Sequence, residues 1–306
     1  MKLSYISVLV ILIFFSCTNS STKEPDIKTS EDRAIKKQLQ QYNIRIIDAA
    51  KTKSFTKISD LYADDVMLMA EYHPLIKNKK NIKRYYDEIF DRETLKKYSR
   101  EIIEITVFEK RVIEIGLFTK ILDNAKEYRG KYLNVWKLSN DTQLTLKAQA
   151  FGYLHPIEDP NALIVEGINA VKYNAIGIPW EMEAYSALNK TNVMDRIPER
   201  SANGYTKDAM YLPFADTIKT GKATLIKHYK EYYKYPVKID SIQGWTYDYD
   251  VVEDGYIRYT GFYVDWSVPE FSGNTQGSGI SYWRRVEDNS LRIHRQIGTH
   301  IHKKEE

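Results

Sequence analysis

An internal repeat constrains this chain more than any other feature of its sequence. The stretches "YADDVMLM" (Tyr62–Met69) and "YTKDAMYL" (Tyr205–Leu212) both place a tyrosine three residues before an aspartate, and apolar residues follow. Three further pairs of similar blocks occur in the same order: residues 76–89 with 218–233, 112–118 with 256–263, and 132–146 with 279–293. Because blocks that recur in one order identify a repeated unit, the chain is predicted to contain two copies of one domain.

The separation between matched residues grows slowly along the chain. It is 143 residues at the aspartate of the first block and 147 residues at the matched pair Trp136 and Trp283. Between these blocks, Gly116 matches Gly261 at 145 residues. Residues added in turns explain this growth, so the strands themselves are expected to correspond one to one.

Each copy shows the same order of hydrophobic patterns. Residues 31–51 repeat apolar side chains at helical spacing, whereas residues 100–122 alternate apolar and polar side chains as strands do. The order reads α-α-β-α-β-β-β-β, which predicts an α+β fold with a curved antiparallel sheet wrapped on about three helices. We expect the first domain at 31–157 and the second at 178–306. The segment 158–177 between them is too apolar for a free linker and is expected to pack.

The N-terminus has the layout of an export signal. Lys2 precedes an apolar run, Leu3–Phe15, which is too short to span a membrane, and the only cysteine, Cys17, follows it. This resembles the bacterial lipoprotein signal, in which the cysteine is lipidated. Residues 1–17 are therefore interpreted as the signal and 18–30 as a flexible tether. We expect lipid anchoring at Cys17 in the bacterial cell envelope, facing the periplasm or the surface; an ordinary secretory signal is the alternative.

Composition and motifs exclude several function classes. The chain of 306 residues carries a formal charge of +4 with Lys and Arg spread along it, so no basic stripe predicts nucleic acid binding. One cysteine allows neither an intrachain disulfide nor a cysteine-based metal site. His300 and His302 alternate on one strand, but no third ligand is near them in sequence. Phosphate-loop and zinc-helix motifs are absent from the sequence, so no cofactor and no metal are expected.

At this level of detail the order of motifs resembles a known superfamily. A helix, a short helix, "LYADDV" at 61–66, a third helix, and strands containing "VWK" and "YWRR" resemble the nuclear-transport-factor-2-like superfamily. The similarity is greatest to its SnoaL-like and ketosteroid-isomerase-like branches, and it covers residues 31–155 and 180–302. In the second copy Lys207 replaces the first Asp of the "ADD" motif.

The resemblance implies a cone-shaped α+β barrel whose open end leads to an apolar pocket. Members of the superfamily include isomerases, dehydratases, polyketide cyclases and non-catalytic binding or dimerisation modules. The fold by itself therefore does not determine the function.

The resemblance also implies where a catalytic base would lie. In the isomerase branch the base is on the strand after the "ADD" motif, a place that falls at Ala70 and Pro213 here. Neither residue can act as a base. The nearby Glu71 and Asp216 are candidate catalytic bases if the register shifts slightly. Otherwise both are expected to be solvated loop carboxylates.

Aromatic side chains are the candidates for lining a ligand pocket. Their alternative role is in the core or in an interface between the copies. The candidate ligand-binding residues are Tyr42, Tyr85, Trp136, Tyr229, Trp245, Tyr247, Tyr263 and Trp283.

The stretch "GWTYDYDVV" concentrates aromatic and acidic residues in the second copy. Strict alternation places Trp245, Tyr247 and Tyr249 on one face of a strand, and Asp248 and Asp250 on the other. Such a strand is suited to line a pocket or to form an interface between sheets.

Three functions remain open at this stage. The first is a non-catalytic envelope lipoprotein that binds a small, largely apolar molecule or a protein partner. The second is an isomerase, dehydratase or cyclase with Glu71 or Asp216 as base and a tyrosine as proton donor. The third is a structural module whose two fused copies pair through their sheets, as a homodimer would.

Overall fold

The structure is a computed structural model that describes residues 30–139, 142–168 and 173–302. The predicted signal at 1–17 with Cys17, and the predicted tether up to residue 29, lie outside the described residues. Within the described residues, no helix is both long enough and apolar enough to cross a membrane.

The two repeats form two domains with the same succession of elements. The first domain contains α1 (Ser30–Lys51), a 3₁₀ helix (Phe55–Leu61), β1 (Tyr62–Ala70), β2 (Ile76–Lys77), α2 (Lys79–Arg92), β3 (Leu95–Val107), β4 (Arg111–Leu122), β5 (Glu127–Leu138) and β6 (Leu144–Tyr153). The second contains α3 (Trp180–Met194), α4 (Pro198–Asn203), β7 (Tyr205–Leu212), β8 (Lys219–Thr220), α5 (Lys222–Tyr232), β9 (Lys238–Val252), β10 (Gly255–Val268), β11 (Phe271–Arg285) and β12 (Leu291–His300).

Each domain has one six-stranded sheet, and the two sheets have identical strand orders. The orders are β2-β1-β6-β5-β4-β3 and β8-β7-β12-β11-β10-β9. The prediction of two tandem α+β domains, each with a curved sheet on about three helices, is confirmed. The sheets are not purely antiparallel as predicted, because β1 pairs with β6 and β7 with β12 in parallel.

The first domain is covered by a long amphipathic helix. α1 buries Ile35, Leu39 and Ile46 at helical spacing against the sheet, and Trp136 from β5 belongs to the same apolar cluster. α2 begins after Asn78, whose side chain accepts the backbone N–H of Asn81. A capped, apolar-faced helix pair therefore closes the inside of this cone.

The second domain is covered less completely. α3 is 15 residues long against 22 in α1, and Met182 is its only fully buried residue. Pro198 begins the short α4, and Gly204 follows its last residue. α3 therefore covers less of the second sheet than α1 covers of the first.

The two sheets pack against each other through the faces that point away from their helices. One apolar cluster combines residues from both domains: Met67, Met69, Ile113, Ile115, Leu133 and Val135 with Ile257, Tyr259, Ile280, Tyr282 and Ile297. This back-to-back arrangement is the pairing that the structural-module alternative requires.

Ion pairs flank that apolar contact. Asp250 is buried and accepts hydrogen bonds from Arg111 (2.6 Å) and Lys147 (2.8 Å) of the first domain and from Tyr259 (2.6 Å) of its own sheet. Burial alone would raise the pKa of Asp250, but hydrogen bonds from Arg111 and Lys147 hold it below its usual value. The carboxylate is therefore ionised and joins the two domains.

The connection between the domains runs along the first one. Leu163 and Val165 are buried, and Nε2 of His73 accepts the backbone N–H of Val165 at 2.8 Å. Arg84 and Arg92 donate to backbone carbonyls of the same segment. Residues 162–167 of the connection are thus held by side chains of the first domain, whereas Ala175 and Gly177 form hydrogen bonds with β9 of the second.

Asp250 provides a test of the sheet interface. Asp250→Asn is expected to lower the free energy of unfolding by about 3 kcal/mol, because it leaves the buried Lys147 and the part-buried Arg111 without their shared carboxylate. Urea denaturation of both proteins measures the change. Asp60→Asn is the matched control, since its ion pair with Arg45 is on the surface and its loss is expected to cost less than about 1 kcal/mol. Equal effects of the two substitutions would contradict this role of Asp250.

Candidate functional site

The strand register defines which residues occupy equivalent places inside the two cones. Trp136 on β5 pairs with Val112 and Leu146, and Trp283 on β11 pairs with Tyr256 and Ile293. Counting from these tryptophans gives the equivalent interior pairs, which are Glu114 with Arg258, Gly116 with Thr260, Tyr132 with Gly279, Gln149 with Gln296, and Phe151 with Gly298. The alignment of Gly116 with Gly261 is therefore wrong by one residue, a shift that exchanges the two faces of a strand.

The first cone is filled by its own side chains around a buried carboxylate. Glu114 is inaccessible to solvent and accepts four hydrogen bonds. Oε1 accepts from Asn43 and Tyr132, both at 2.9 Å, and Oε2 accepts from Asn134 and Trp136, both at 3.0 Å. Four neutral donors satisfy this carboxylate without an external ligand.

Further side chains complete the filling of the first cone. The guanidinium of Arg100 lies 4.0 Å from the centre of the Tyr132 ring and donates to Asn43 at 2.5 Å. Tyr86 donates to Gln149 at 2.5 Å, which in turn donates to Asn134. The Nη2 atom of Arg100 is buried and has no hydrogen-bond partner.

The second cone contains an open cavity of about 410 Å³. Where the first cone has Tyr132 and Phe151, this one has Gly279 and Gly298, and a Cβ added at Gly298 would meet no atom within 4 Å. The face that α3 presents to the cavity is mostly small or polar: Glu183, Ser186, Ala187, Lys190 and Val193 line it at helical spacing. Small side chains on the sheet and small or polar side chains on α3 together leave the cavity unfilled.

A buried arginine lines this cavity. Arg258 is 7% exposed, and its Nε donates to Oγ1 of Thr246 at 2.8 Å. No carboxylate lies within ion-pair distance of it among the described residues. Burial lowers the pKa of Arg258, and the more distant charge of Glu183 acts in the opposite direction.

The rest of the lining is partly apolar and partly neutral polar. The apolar contribution comes from Ile242, Phe262, Val264, Trp283 and Ile293, and the neutral polar one from Asn189, Gln243, Thr260, Ser281 and Gln296. Trp283 donates to Ser281 at 2.8 Å, and Gln296 accepts from Tyr205 at 2.6 Å. Ser281 and Gln296 therefore already have partners, whereas the terminal nitrogens of Arg258 and Oδ1 of Asn189, another lining residue, have no hydrogen-bond partner among the described residues.

The predicted ligand-binding aromatics are distributed over several sites. Trp283 lines the cavity; Trp245 is also among the lining residues, but its ring packs toward the first domain. Tyr42, Tyr85 and Trp136 belong to the core of the first domain, and Tyr229 to the core of the second. Tyr247 packs in the sheet interface, and Tyr263 on β10 is part-exposed and does not line the cavity.

The predicted faces of β9 are wrong because the strand contains a bulge. The register between β9 and β10 shifts at Tyr247, which is left without a partner residue. The extra residue reverses the alternation, so Asp250 lies on the same side as Trp245 and Tyr247, toward the first domain. Tyr249 points the other way and donates to the carbonyl of Gly177.

The two candidate bases have opposite environments. Glu71 is 2% exposed, which overturns the expectation of a solvated carboxylate, and its Oε2 accepts the backbone N–H of Tyr153 at 3.1 Å. Burial raises the pKa of Glu71 to about 7, against the attraction of Lys131. Asp216 is part-exposed and pairs with Lys219 at 2.9 Å, and these contacts hold its pKa below the usual value despite partial burial. Neither residue lines the cavity of the second cone.

Sequence reasoning did not find Arg258 or Glu114. The signal was present, since an alignment that keeps the offset of 144 residues found at Ile82 and Ile226 places Arg258 opposite Glu114. The match of Gly116 to Gly261 concealed it. Among the described residues, no group of three or more His, Cys, Asp or Glu side chains is arranged to hold a metal ion.

Comparison with known proteins gives likenesses of structure only. No family model and no curated protein matches the chain. A ketosteroid isomerase-like protein from Erwinia carotovora is similar at 12% identity and a TM-score of 0.37, over 42% of this chain and 100% of its own. An NTF2-like protein from Cytophaga hutchinsonii is similar at 14% identity and a TM-score of 0.33, over 39% of this chain and 98% of its own.

A third solved structure has a comparable likeness. It is a putative calcium/calmodulin dependent protein kinase II association domain from Xanthomonas campestris, at 15% identity and a TM-score of 0.35. It covers 44% of this chain and 94% of its own. The likeness of this chain to all three structures is one of fold.

The raised pKa of Glu71 predicts a pH-dependent stability. A carboxyl whose folded-state pKa lies above its unfolded value contributes stability below the unfolded pKa, and that contribution is lost as the pH rises through about 7. Glu71→Gln removes this titration. We expect the variant to gain about 2 kcal/mol in free energy of unfolding relative to the unmodified protein between pH 5 and pH 7.5.

Denaturation at the two pH values measures this difference. Glu127→Gln, which changes an exposed carboxylate on β5, is the control and should show no such gain. A Glu71→Gln variant whose stability relative to the unmodified protein is the same at both pH values would contradict the raised pKa.

Proposed function

We propose that the second domain binds a small molecule inside its cone, and that the first domain serves as its rigid partner. The observation that carries the proposal is the difference between equivalent interiors. Glu114, Tyr132 and Phe151 fill the first cone, while the same places in the second hold Arg258, which lines the cavity, and two glycines, Gly279 and Gly298. A second domain that keeps the same sheet but leaves a cavity in its interior is suited to binding a small molecule.

The size and lining of the cavity support a small organic ligand. A volume of about 410 Å³ lies within the range of small-molecule sites, roughly 300–1,000 Å³. Aromatic and aliphatic side chains, including Phe262, Trp283 and Ile293, offer contact area for an apolar body. Thr260 and Gln296 add polar contacts that orient it.

Binding without catalysis is the function that the charged groups favour. An isomerase-type reaction needs a carboxylate beside the substrate, with a pKa suited to proton transfer. Glu71 has the raised pKa but lies in the first domain, outside the cavity, and Asp216 is engaged by Lys219. Glu183 is the only carboxylate among the cavity-lining residues, and its side chain is solvent-exposed.

The cellular setting is part of the proposal. Lys2, the apolar run and Cys17 support export followed by lipid anchoring in the bacterial cell envelope. A polar tether then holds the two domains beyond the membrane surface. In that setting the protein captures a small molecule in the periplasm or at the cell surface.

Two alanines on α3 provide a matched test. Ala187 lines the cavity, whereas Ala184, one turn earlier, does not. Titration with the neutral fluorescent probe N-phenyl-1-naphthylamine is expected to show one site per chain. Ala187→Phe should weaken this binding roughly tenfold or more because its ring occupies the cavity, while Ala184→Phe should leave it unchanged.

Two results would contradict small-molecule binding in this cone. One is the absence of saturable probe binding by the unmodified protein. The other is equal probe affinity of the Ala187→Phe and Ala184→Phe variants, with circular dichroism showing that both are folded.

A further inference from the structure

We infer that the ligand of the second cone is a monocarboxylate with an aromatic or aliphatic body, and that its carboxylate pairs with Arg258. The inference rests on the proposed function and specifies the chemical class of the ligand. It is carried by one side chain, a buried arginine that lines the cavity and has no anionic partner within the described chain.

The isolation of Arg258 is unusual for a buried charge. A guanidinium taken out of water is stabilised in proteins by a carboxylate or by a full set of hydrogen bonds. The described residues supply one such contact, the hydroxyl of Thr246 at Nε. The terminal nitrogens make no hydrogen bond to described residues, and neither is among the fully buried atoms that lack a partner, so both are accessible from the cavity side. An anion entering the cavity would supply the missing partner.

The first cone shows what a self-sufficient interior looks like at the same position. There the residue is Glu114, and four donors from the first domain satisfy it; the guanidinium of Arg100 in the same cone donates to Asn43 and to Tyr98. In the second cone the charge is reversed, but the surrounding side chains do not provide a matching set of acceptors. The partner of Arg258 therefore comes from outside the chain.

The geometry of Arg258 favours a carboxylate. Because Thr246 occupies Nε, the two terminal nitrogens remain as a fork that can donate two parallel hydrogen bonds. A carboxylate accepts such a pair with both oxygens. The free edge of the guanidinium and the planar carboxylate thus match in shape as well as in charge.

The charge balance of the lining favours a monoanion over a phosphate ester. The charged side chains among the lining residues are Arg258, Lys190 and Glu183, which together carry a net charge of +1. A phosphate monoester near pH 7 carries close to two negative charges and uses more donors. A single carboxylate neutralises the site.

The remaining lining selects the body of the ligand. Phe262, Val264, Trp283 and Ile293 line the same cavity as Arg258. Flat or branched hydrocarbon groups gain contact area against such side chains. The ligand class is accordingly an apolar acid rather than a polar one.

A pair of isosteric probes tests the inference on the full chain. Isothermal titration calorimetry compares 2-naphthoate with 2-naphthamide, which has the same shape but no charge. We expect the carboxylate to bind roughly 10- to 100-fold more tightly, as is typical of hydrogen bonds to a charged group. A third probe, 2-naphthyl phosphate, is expected to bind more weakly than 2-naphthoate.

Two substitutions assign the effect to one side chain. Arg258→Met is expected to abolish the preference for the carboxylate without lowering the melting temperature, because it removes an unpaired buried charge. Arg258→Lys keeps the charge but loses the fork, and it should retain part of the preference. Arg292→Met, in the same sheet but outside the cavity lining, is the matched control and should behave as the unmodified protein.

The outcomes separate this inference from the proposed function. Equal affinities for 2-naphthoate and 2-naphthamide, with N-phenyl-1-naphthylamine still bound in the cone, overturn the carboxylate and leave small-molecule binding in place. Tighter binding of 2-naphthyl phosphate overturns it in favour of a phosphate ester. A preference that survives in Arg258→Met removes Arg258 as its source. Failure of every probe to bind overturns the inference and the proposed function together.

Discussion

The back-to-back packing of the two sheets is the contact on which the rest of the molecule depends. Apolar side chains from both domains merge there into one cluster, and Asp250 joins Arg111 and Lys147 beside it. Because each sheet has one face in this contact, the other face is left to its own helices. Two separate interiors follow from one shared interface, because each sheet turns its other face to the helices of its own domain.

This separation explains how a duplicated domain can hold two different interiors. In the first, Glu114 collects four donors and large aromatic side chains occupy the remaining space. In the second, glycines replace the aromatic residues and Arg258 replaces the glutamate. Filling one cone adds stability to the pair, since a close-packed interior gains both burial and dispersion contacts. The stability of the filled cone then offsets the free-energy cost of a cavity in the other cone.

Much of the fold could be predicted from local patterns, whereas the interior chemistry could not. Helical spacing in α1 and alternation in the strands depend on neighbours in the sequence, and the repeat tests each assignment a second time. The predicted faces of β9 were wrong because of the bulge at Tyr247. One unpaired residue there reverses the faces of the residues that follow it in the strand. The expectation that Glu71 is solvated was wrong for a related reason: its burial depends on β6 and on Tyr153, which is 82 residues away.

The sequence by itself determined that the chain contains two copies of one α+β domain, because periodicity and repeated order are local properties. It also contained the charge difference at the interior position, in the identities of Glu114 and Arg258. Only the tertiary structure decided that these two residues are equivalent, that one is satisfied by its own domain, and that the other faces an open cavity. Hydrogen-bond partners and empty space depend on the register of strands that are distant in the chain, and a one-residue shift in that register exchanges inside for outside.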